Sequence, residues 1–266
     1  MRYILEFCAL ASGSSGNCIY VSHMDTAILV DAGISGKKIE ESLASIGVRP
    51  ESISAILITH EHCDHIGGAA VFARRFNTPL YGTERTLKFL SDNARCKPAN
   101  TLMHVIGPDR DFELGTLHIS PFRISHDALD PVSYCISADG RKLGMATDLG
   151  VYDDYTVERL KNSDALYIEA NHDESMLMLG PYPYKTKLRI NSELGHLSNE
   201  ACGRLVNEVR SEKLHDVVLA HISKDNNFEE LAYETVRLAL ESDKGYSTMP
   251  TVRVARRHEP TGLIKV

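Results

Sequence analysis

Short apolar runs bounded by turn-forming residues fill the first third of the chain: YILEFCAL (3–10), CIYVS (18–22), AILVDAG (27–33) and SAILITH (54–60). Runs of this length, rich in Ile, Val and Leu, predict strands. Between the last two lies SGKKIEESLASIG (35–47), whose apolar spacing and closing Gly predict a helix; GGAAVFARRF (67–76) predicts another. From about 102 to 147 the chain looks strand-rich again, in FELGTLHIS, PFRIS, VSYCIS and RKLGMATD. Helix and strand then alternate through YTVERLKN, DALYIEAN, SNEACGRLVNEVRS, DVVLAHIS, FEELAYETVRLALES and TVRVA. This order predicts an α/β architecture of two packed sheets with helices outside. Residues 176–195, MLMLGPYPYKTKLRINSELG, show neither period and read as a long irregular loop, the kind used as a lid or substrate loop. No repeat, low-complexity linker or boundary interrupts the pattern, so 1–266 reads as one domain.

The net charge of −7 over 266 residues argues against a broadly basic surface, so any nucleic-acid contact must come from a local patch. No stretch reaches the length of a membrane span, and the apolar N-terminal run meets a Gly/Ser turn too early for a signal peptide. The six cysteines (8, 18, 63, 96, 135 and 202) form no C-x-x-C pair, which fits free thiols in a reducing cytoplasm.

The densest chemistry lies at the end of the fourth strand, in THEHCDH (59–65). His60 and His62 are two apart and project to one side of an extended backbone. Asp64 and His65 follow where a helix begins and can turn to the same point. Imidazole and carboxylate together suit zinc, manganese or iron. Further donors stand just past other strand-like runs: Asp31, His126, Asp148 and His221. Donors on loops held by rigid strands are the usual construction of a site. Cys63, inside the cluster, is expected to point away from the donors into packing. His23, His104, His118, His215 and His258 read as ordinary core or surface histidines, and His172 receives no role.

H-x-H-x-D-H, followed in order by His126, Asp148 and His221 and preceded by Asp31, resembles the metallo-β-lactamase superfamily over nearly the whole chain. The resemblance implies an αββα four-layer sandwich holding two divalent metal ions, zinc or manganese. It implies His60, His62 and His126 on one metal, Asp64, His65 and His221 on the other, and Asp148 bridging. Asp31 would orient a ligand histidine. His62 stands where the oxygen-reducing branch carries Glu, which disfavours redox chemistry.

SHDALDPVSYCI, YIEAN and GHLSNEA resemble segments of ribonuclease Z-like phosphodiesterases, implying His196 as proton donor and Glu169 as its partner. Together LASGSSGN, THEHCDHIGG, ATDLG, IEANHD, RINSELGHLSN and AHISKDNN resemble the bacterial YycJ/WalJ-type proteins, which implies exonuclease action on double-stranded DNA from the 5′ end. In that reading Asp64 also holds the proton of the attacking hydroxide. SGSSGN presents Ser14, Ser15 and Asn17 either as an anion nest or as a plain hairpin turn. Lys185, Lys187 and Arg189 form either a phosphate-tracking patch or a solvated basic loop. Ester, thioester or lactone hydrolysis and a non-catalytic scaffold remain as alternative functions, and the sequence leaves oligomeric state open.

Overall fold

A computed structural model describes residues 4–93, 102–243, 245–246 and 248–266; Tyr3, at the start of the first predicted strand, and Cys96 lie outside them. The chain divides into two compact units, each drawn from separate stretches: 1–123, 128–140 and 256–265 form the first, 124–127 and 141–255 the second.

In the first unit, β1 (Glu6–Ala11), β2 (Cys18–His23) and β3 (Thr26–Val30) pair antiparallel, while β4 (Ile53–Leu57), β5 (Leu80–Gly82) and β6 (Met103–Val105) continue the sheet in parallel. Helix α1 (Gly36–Ser45) connects β3 to β4, and Ser35 caps it by accepting from the Lys38 N–H. Its Ile39 and Leu43, one turn apart, are fully buried, so the i,i+4 stripe seen in the sequence is the packed face. After β4 come α2 (Cys63–Ile66), α3 (Ala69–Phe76) and, beyond β5, α4 (Glu84–Asp92). Phe72, Leu43, Leu87 and Leu90 share one core with the inner face of β1–β5. Burying a side chain such as Phe72 contributes roughly 1.5–3 kcal/mol. Strands β7 (Phe112–Leu114), β8 (Leu117–Arg123) and β9 (Val132–Ala138) form an antiparallel ladder. The two predicted strands FELGTLHIS and PFRIS divide differently, because β8 runs through Pro121. The last strand, β14 (Ile264–Lys265), returns to pair with β1.

In the second unit, β10 (Arg141–Ala146), β11 (Ala165–Glu169), β12 (Asp216–Ala220) and β13 (Thr251–Val254) are all parallel. β11, ALYIE, is buried at every position, as expected of an interior strand covered on both faces. Helix α5 (Asp154–Leu160) leads into β11; α8 (Asn199–Val209) and α9 (Glu229–Ser242) flank β12. They cross closely at Gly203, where a Cβ would approach that of Ala239 to 2.7 Å. The segment 176–195 is not irregular. It carries α6 (Glu174–Leu179), capped by the Asp173 carboxylate on the Met176 N–H, and α7 (Tyr184–Ile190). No residue of α7 is buried, so it shows no apolar stripe for periodicity to detect. Among the described residues no helix is long and apolar enough to cross a membrane.

Candidate metal centre

Asp31, in the first unit, follows β3 directly and adopts a left-handed backbone, φ 59°. Its peptide N–H donates to Leu57 O, which ties it to the end of β4. One carboxylate oxygen accepts from the Thr59 N–H (2.9 Å); the other accepts from the Thr59 hydroxyl (2.8 Å) and lies 2.7 Å from His65 Nδ1. Burial pushes the Asp31 carboxyl up, only partly offset by His65 and Thr59. The Thr59 hydroxyl, having donated to Asp31, is left to accept from His60 Nδ1 at 3.0 Å. His60 and His65 therefore both have Nδ1 engaged, and Nε2 is the nitrogen each can offer a metal. The rings of His62 and His65 lie 4.6 and 4.1 Å from that of His60. Asp64 Oδ2 is 3.6 Å from His65 Nε2. The sequence reading missed Thr59; its only signal is its position beside His60.

The loop SGSSGN stitches this cluster together. Asn17 N–H donates to Asp64 O, Gly33 N–H to Asn17 O, Ala32 N–H to His65 O and Gly68 N–H to Ala32 O, all at 2.7–2.8 Å. Asn17 is buried: its side-chain Oδ1 accepts from the Gly13 N–H and its Nδ2 lies 3.1 Å from His65 Nε2. Ser14 and Ser15 are exposed at the tip. Gly33 has no room for a side chain, because a Cβ would fall 1.7 Å from Asp64 O. Cys63 is exposed rather than packed: as the first residue of α2 it faces solvent while His65 and Ile66 take the buried side.

In the second unit, Glu169 ends β11 fully buried. Its Oε1 lies 2.9 Å from His196 Nδ1 and 2.6 Å from His221 Nδ1, and its Oε2 accepts from the Leu149 and Leu197 N–H groups. Burial would raise its pKa, but His196 and His221 outweigh this and hold it at about 2. Glu169 thus orients two histidines, not His196 alone. Asp148 and His221, just past β10 and β12, adopt left-handed backbones like Asp31, φ 56° and 55°. Such conformations in non-glycine residues are costly and cluster at functional sites. Asp148 Oδ1 stands 3.5 Å from His221 Nδ1, 3.7 Å from His196 Nδ1 and 3.8 Å from His126 Nε2. His126 Nδ1 lies 3.1 Å from Gly195 O, and burial lowers its pKa, favouring the neutral ring that ligates metals. Donor atoms of Asp148, Glu169, His196 and His221 all lie within 4.8 Å of one another. His172 is buried nearby in sequence, with neither ring nitrogen hydrogen-bonded among the described residues; burial lowers its pKa.

The basic residues are less available than their sequence suggests. On α7, Arg189 Nε pairs with Asp127 at 2.5 Å and Lys187 Nζ donates to Met178 O; Lys185 is exposed.

A family model described as a beta-lactamase superfamily domain matches residues 26–222. The chain is 39% identical to the exodeoxyribonuclease WalJ of Streptococcus pneumoniae serotype 2 over 232 residues, 87% of this chain and 86% of that protein. The chain belongs to the WalJ/YycJ family of the β-lactamase superfamily. A second member, the exodeoxyribonuclease YycJ of Bacillus anthracis, is 37% identical over 91% of each chain. The metallo-β-lactamase fold protein YhfI of Bacillus subtilis superposes over 100% of both chains with a TM-score of 0.75 at 16% identity, which establishes the fold. The metallo-β-lactamase fold implied by the H-x-H-x-D-H resemblance and the WalJ/YycJ resemblance both hold. In this fold, imidazole and carboxylate donors gathered at strand ends fit divalent metal binding.

Proposed function

We propose that this member of the WalJ/YycJ family is a metal-dependent exodeoxyribonuclease, acting in the cytoplasm from the 5′ end of duplex DNA with two divalent ions, zinc or manganese. The observation that carries this reading is the shared Glu169 oxygen: one carboxylate oxygen lies within hydrogen-bond reach of Nδ1 of both His196, the proposed proton donor, and His221, a proposed metal donor. The donor set supports two ions. His60, His62 and His126 would hold one, Asp64, His65 and His221 the other, with Asp148 between them. His60, His65, His126 and His221 each have Nδ1 held by an oxygen acceptor, the arrangement that fixes the tautomer of a ligating histidine. The bound ions would supply Lewis-acid stabilisation of the phosphoryl group and an activated water.

The chain's own residues do the rest. Asp64 orients the attacking water and accepts its hydrogen bond. Asp31 keeps His65 in the required tautomer. A sugar oxygen is a poor leaving group, and His196, held through Nδ1 by Glu169, delivers the proton it needs. The exposed Ser14 and Ser15 border the Asp64 side and can meet phosphate oxygens, while Asn17, buried beneath them, holds the loop; the exposed Lys185 supplies positive charge along the strand.

The test is digestion of end-labelled duplex DNA, single-stranded DNA and RNA across Zn²⁺, Mn²⁺ and Mg²⁺, with a thioester as control substrate. Stepwise loss from the 5′ ends of duplex DNA is expected. Thioester turnover without DNA cleavage would overturn the reading.

A further inference from the structure

The His-rich turn carries one acidic side chain that the proposed chemistry does not use. Glu61 lies between the proposed donors His60 and His62, and its Oε1 accepts from the Leu129 N–H at 2.9 Å. Its other oxygen is shut from solvent, so the carboxylate is turned inward. Residues 128–132 belong to the same unit as Glu61 and are tied down at further points. The Thr83 hydroxyl donates to Asp130 O at 3.1 Å, the Val132 N–H donates to Thr59 O at 3.0 Å, and Arg85 Nη1 donates to Leu129 O at 3.4 Å. Pro131 fixes its own φ and restricts Asp130 before it.

Leu129 stands out from this order. Its N–H and its C=O are both hydrogen-bonded, yet the residue is 48% exposed. Leucines exposed singly are ordinary. A leucine whose backbone is pinned on both sides is different, because ordering the segment costs conformational entropy that burial of this side chain does not offset. The fold therefore holds an apolar group in water, from a fixed backbone, on the residue that separates two proposed metal donors. Arg85 beside it is exposed, and among the described residues no carboxylate pairs with it.

An apolar group with a cation at its side fits the end of a nucleic-acid duplex. The terminal base pair offers a flat apolar face, and the strands bordering it carry phosphates. Apolar side chains inserted at a base step unstack it, and a guanidinium takes phosphate oxygens in its fork. We propose that Leu129 is a wedge that packs on the terminal base pair of duplex DNA and parts its strands, so that one strand reaches the metal donors, while Arg85 holds a backbone phosphate. The assignment rests on the exonuclease reading above and names the residue that makes a paired end a substrate. Glu61 is the positioning residue: its carboxylate links the wedge to the turn that carries His60 and His62, which sets the spacing between strand opening and cleavage.

Leu129→Ala and Leu129→Ser test the wedge, because the bonds that fix the segment are made by the Leu129 backbone, which both variants keep. The substrates are two end-labelled duplexes of one sequence, one with a fully paired end and one with a few mismatched pairs at that end. Tm and metal content are measured alongside and are expected to match wild type. Both variants should lose about fivefold or more in cleavage of the paired end, the worth of covering a half-exposed leucine, and much less on the mismatched end, which is already open. Leu129→Met should restore the paired-end rate. Arg85→Gln should reduce the slope of log Kd against log salt for duplex binding by about 0.9, the share of one phosphate. Equal losses on the two ends, or no loss on the paired end, would overturn the wedge, and so would a wild-type protein that cuts only the mismatched end. An unchanged salt slope would remove Arg85 from the phosphate. A wild-type protein that cuts neither duplex would overturn the nuclease reading, and the wedge with it.

Discussion

At the scale of single residues, the chemistry turns on which histidine nitrogen is committed. His196 and His221 both lean on one oxygen of Glu169, and His65 leans on Asp31. His196→Ala should slow DNA cleavage by about 10²–10⁴-fold, the usual worth of general acid help. The loss should be far smaller on a diester that expels p-nitrophenolate, which needs no proton. Equal losses on the two substrates would remove His196 from proton donation. Asp31→Ala should act differently, because it leaves His65 without its orienting carboxylate. Metal affinity should fall about 10–100-fold, read by metal titration; unchanged affinity would reduce Asp31 to a tie between β3 and β4. Both histidine–carboxylate pairs were suggested by family resemblance. The double duty of Glu169 was not, because it joins residues 27 and 52 positions apart on three separate strand or loop segments.

At the scale of elements, the site depends on backbone approach as much as on side chains. The H-x-H-x-D-H turn is held against the SGSSGN loop by the Asn17 N–H on Asp64 O and against the end of β3 by the Ala32 N–H on His65 O, and Gly33 lies at the contact. Gly33→Ala would drive a methyl into Asp64 O, so the turn must shift. A stability loss of about 1–3 kcal/mol or more is expected, measured by urea denaturation, together with weaker metal binding. A variant as stable as wild type would show that the turn yields easily. Helices α1, α8 and α9 were legible because each buries a stripe at i,i+3/i+4 spacing. Helix α7 was not, since none of its residues is buried and it rests on hydrogen bonds such as Lys187 to Met178 O, which leave no mark in an apolar pattern.

At the scale of the whole molecule, bound metal is expected to act as a folding ligand. Removing it with a chelator should lower Tm, and restoring free metal to about 100 times Kd should return about 2.7 kcal/mol. A Tm indifferent to metal would count against the proposed donor set. The sequence by itself determined much of the strand and helix order, the His-rich turn and the family, because period-two and period-3.6 patterns and a compact motif are local properties of the chain. Tertiary structure decided the rest. It divided the chain into two units whose segments interleave, so no linker composition marks a boundary, and it brought β14 back to β1 across nearly the full length of the sequence. It left Cys63 in solvent and engaged Arg189 with Asp127, outcomes set by the direction each side chain takes from its turn of helix. It also held Asp31, Asp148 and His221 in left-handed conformations, which Asp and His enter more readily than most residues but which the surrounding strands and hydrogen bonds must fix.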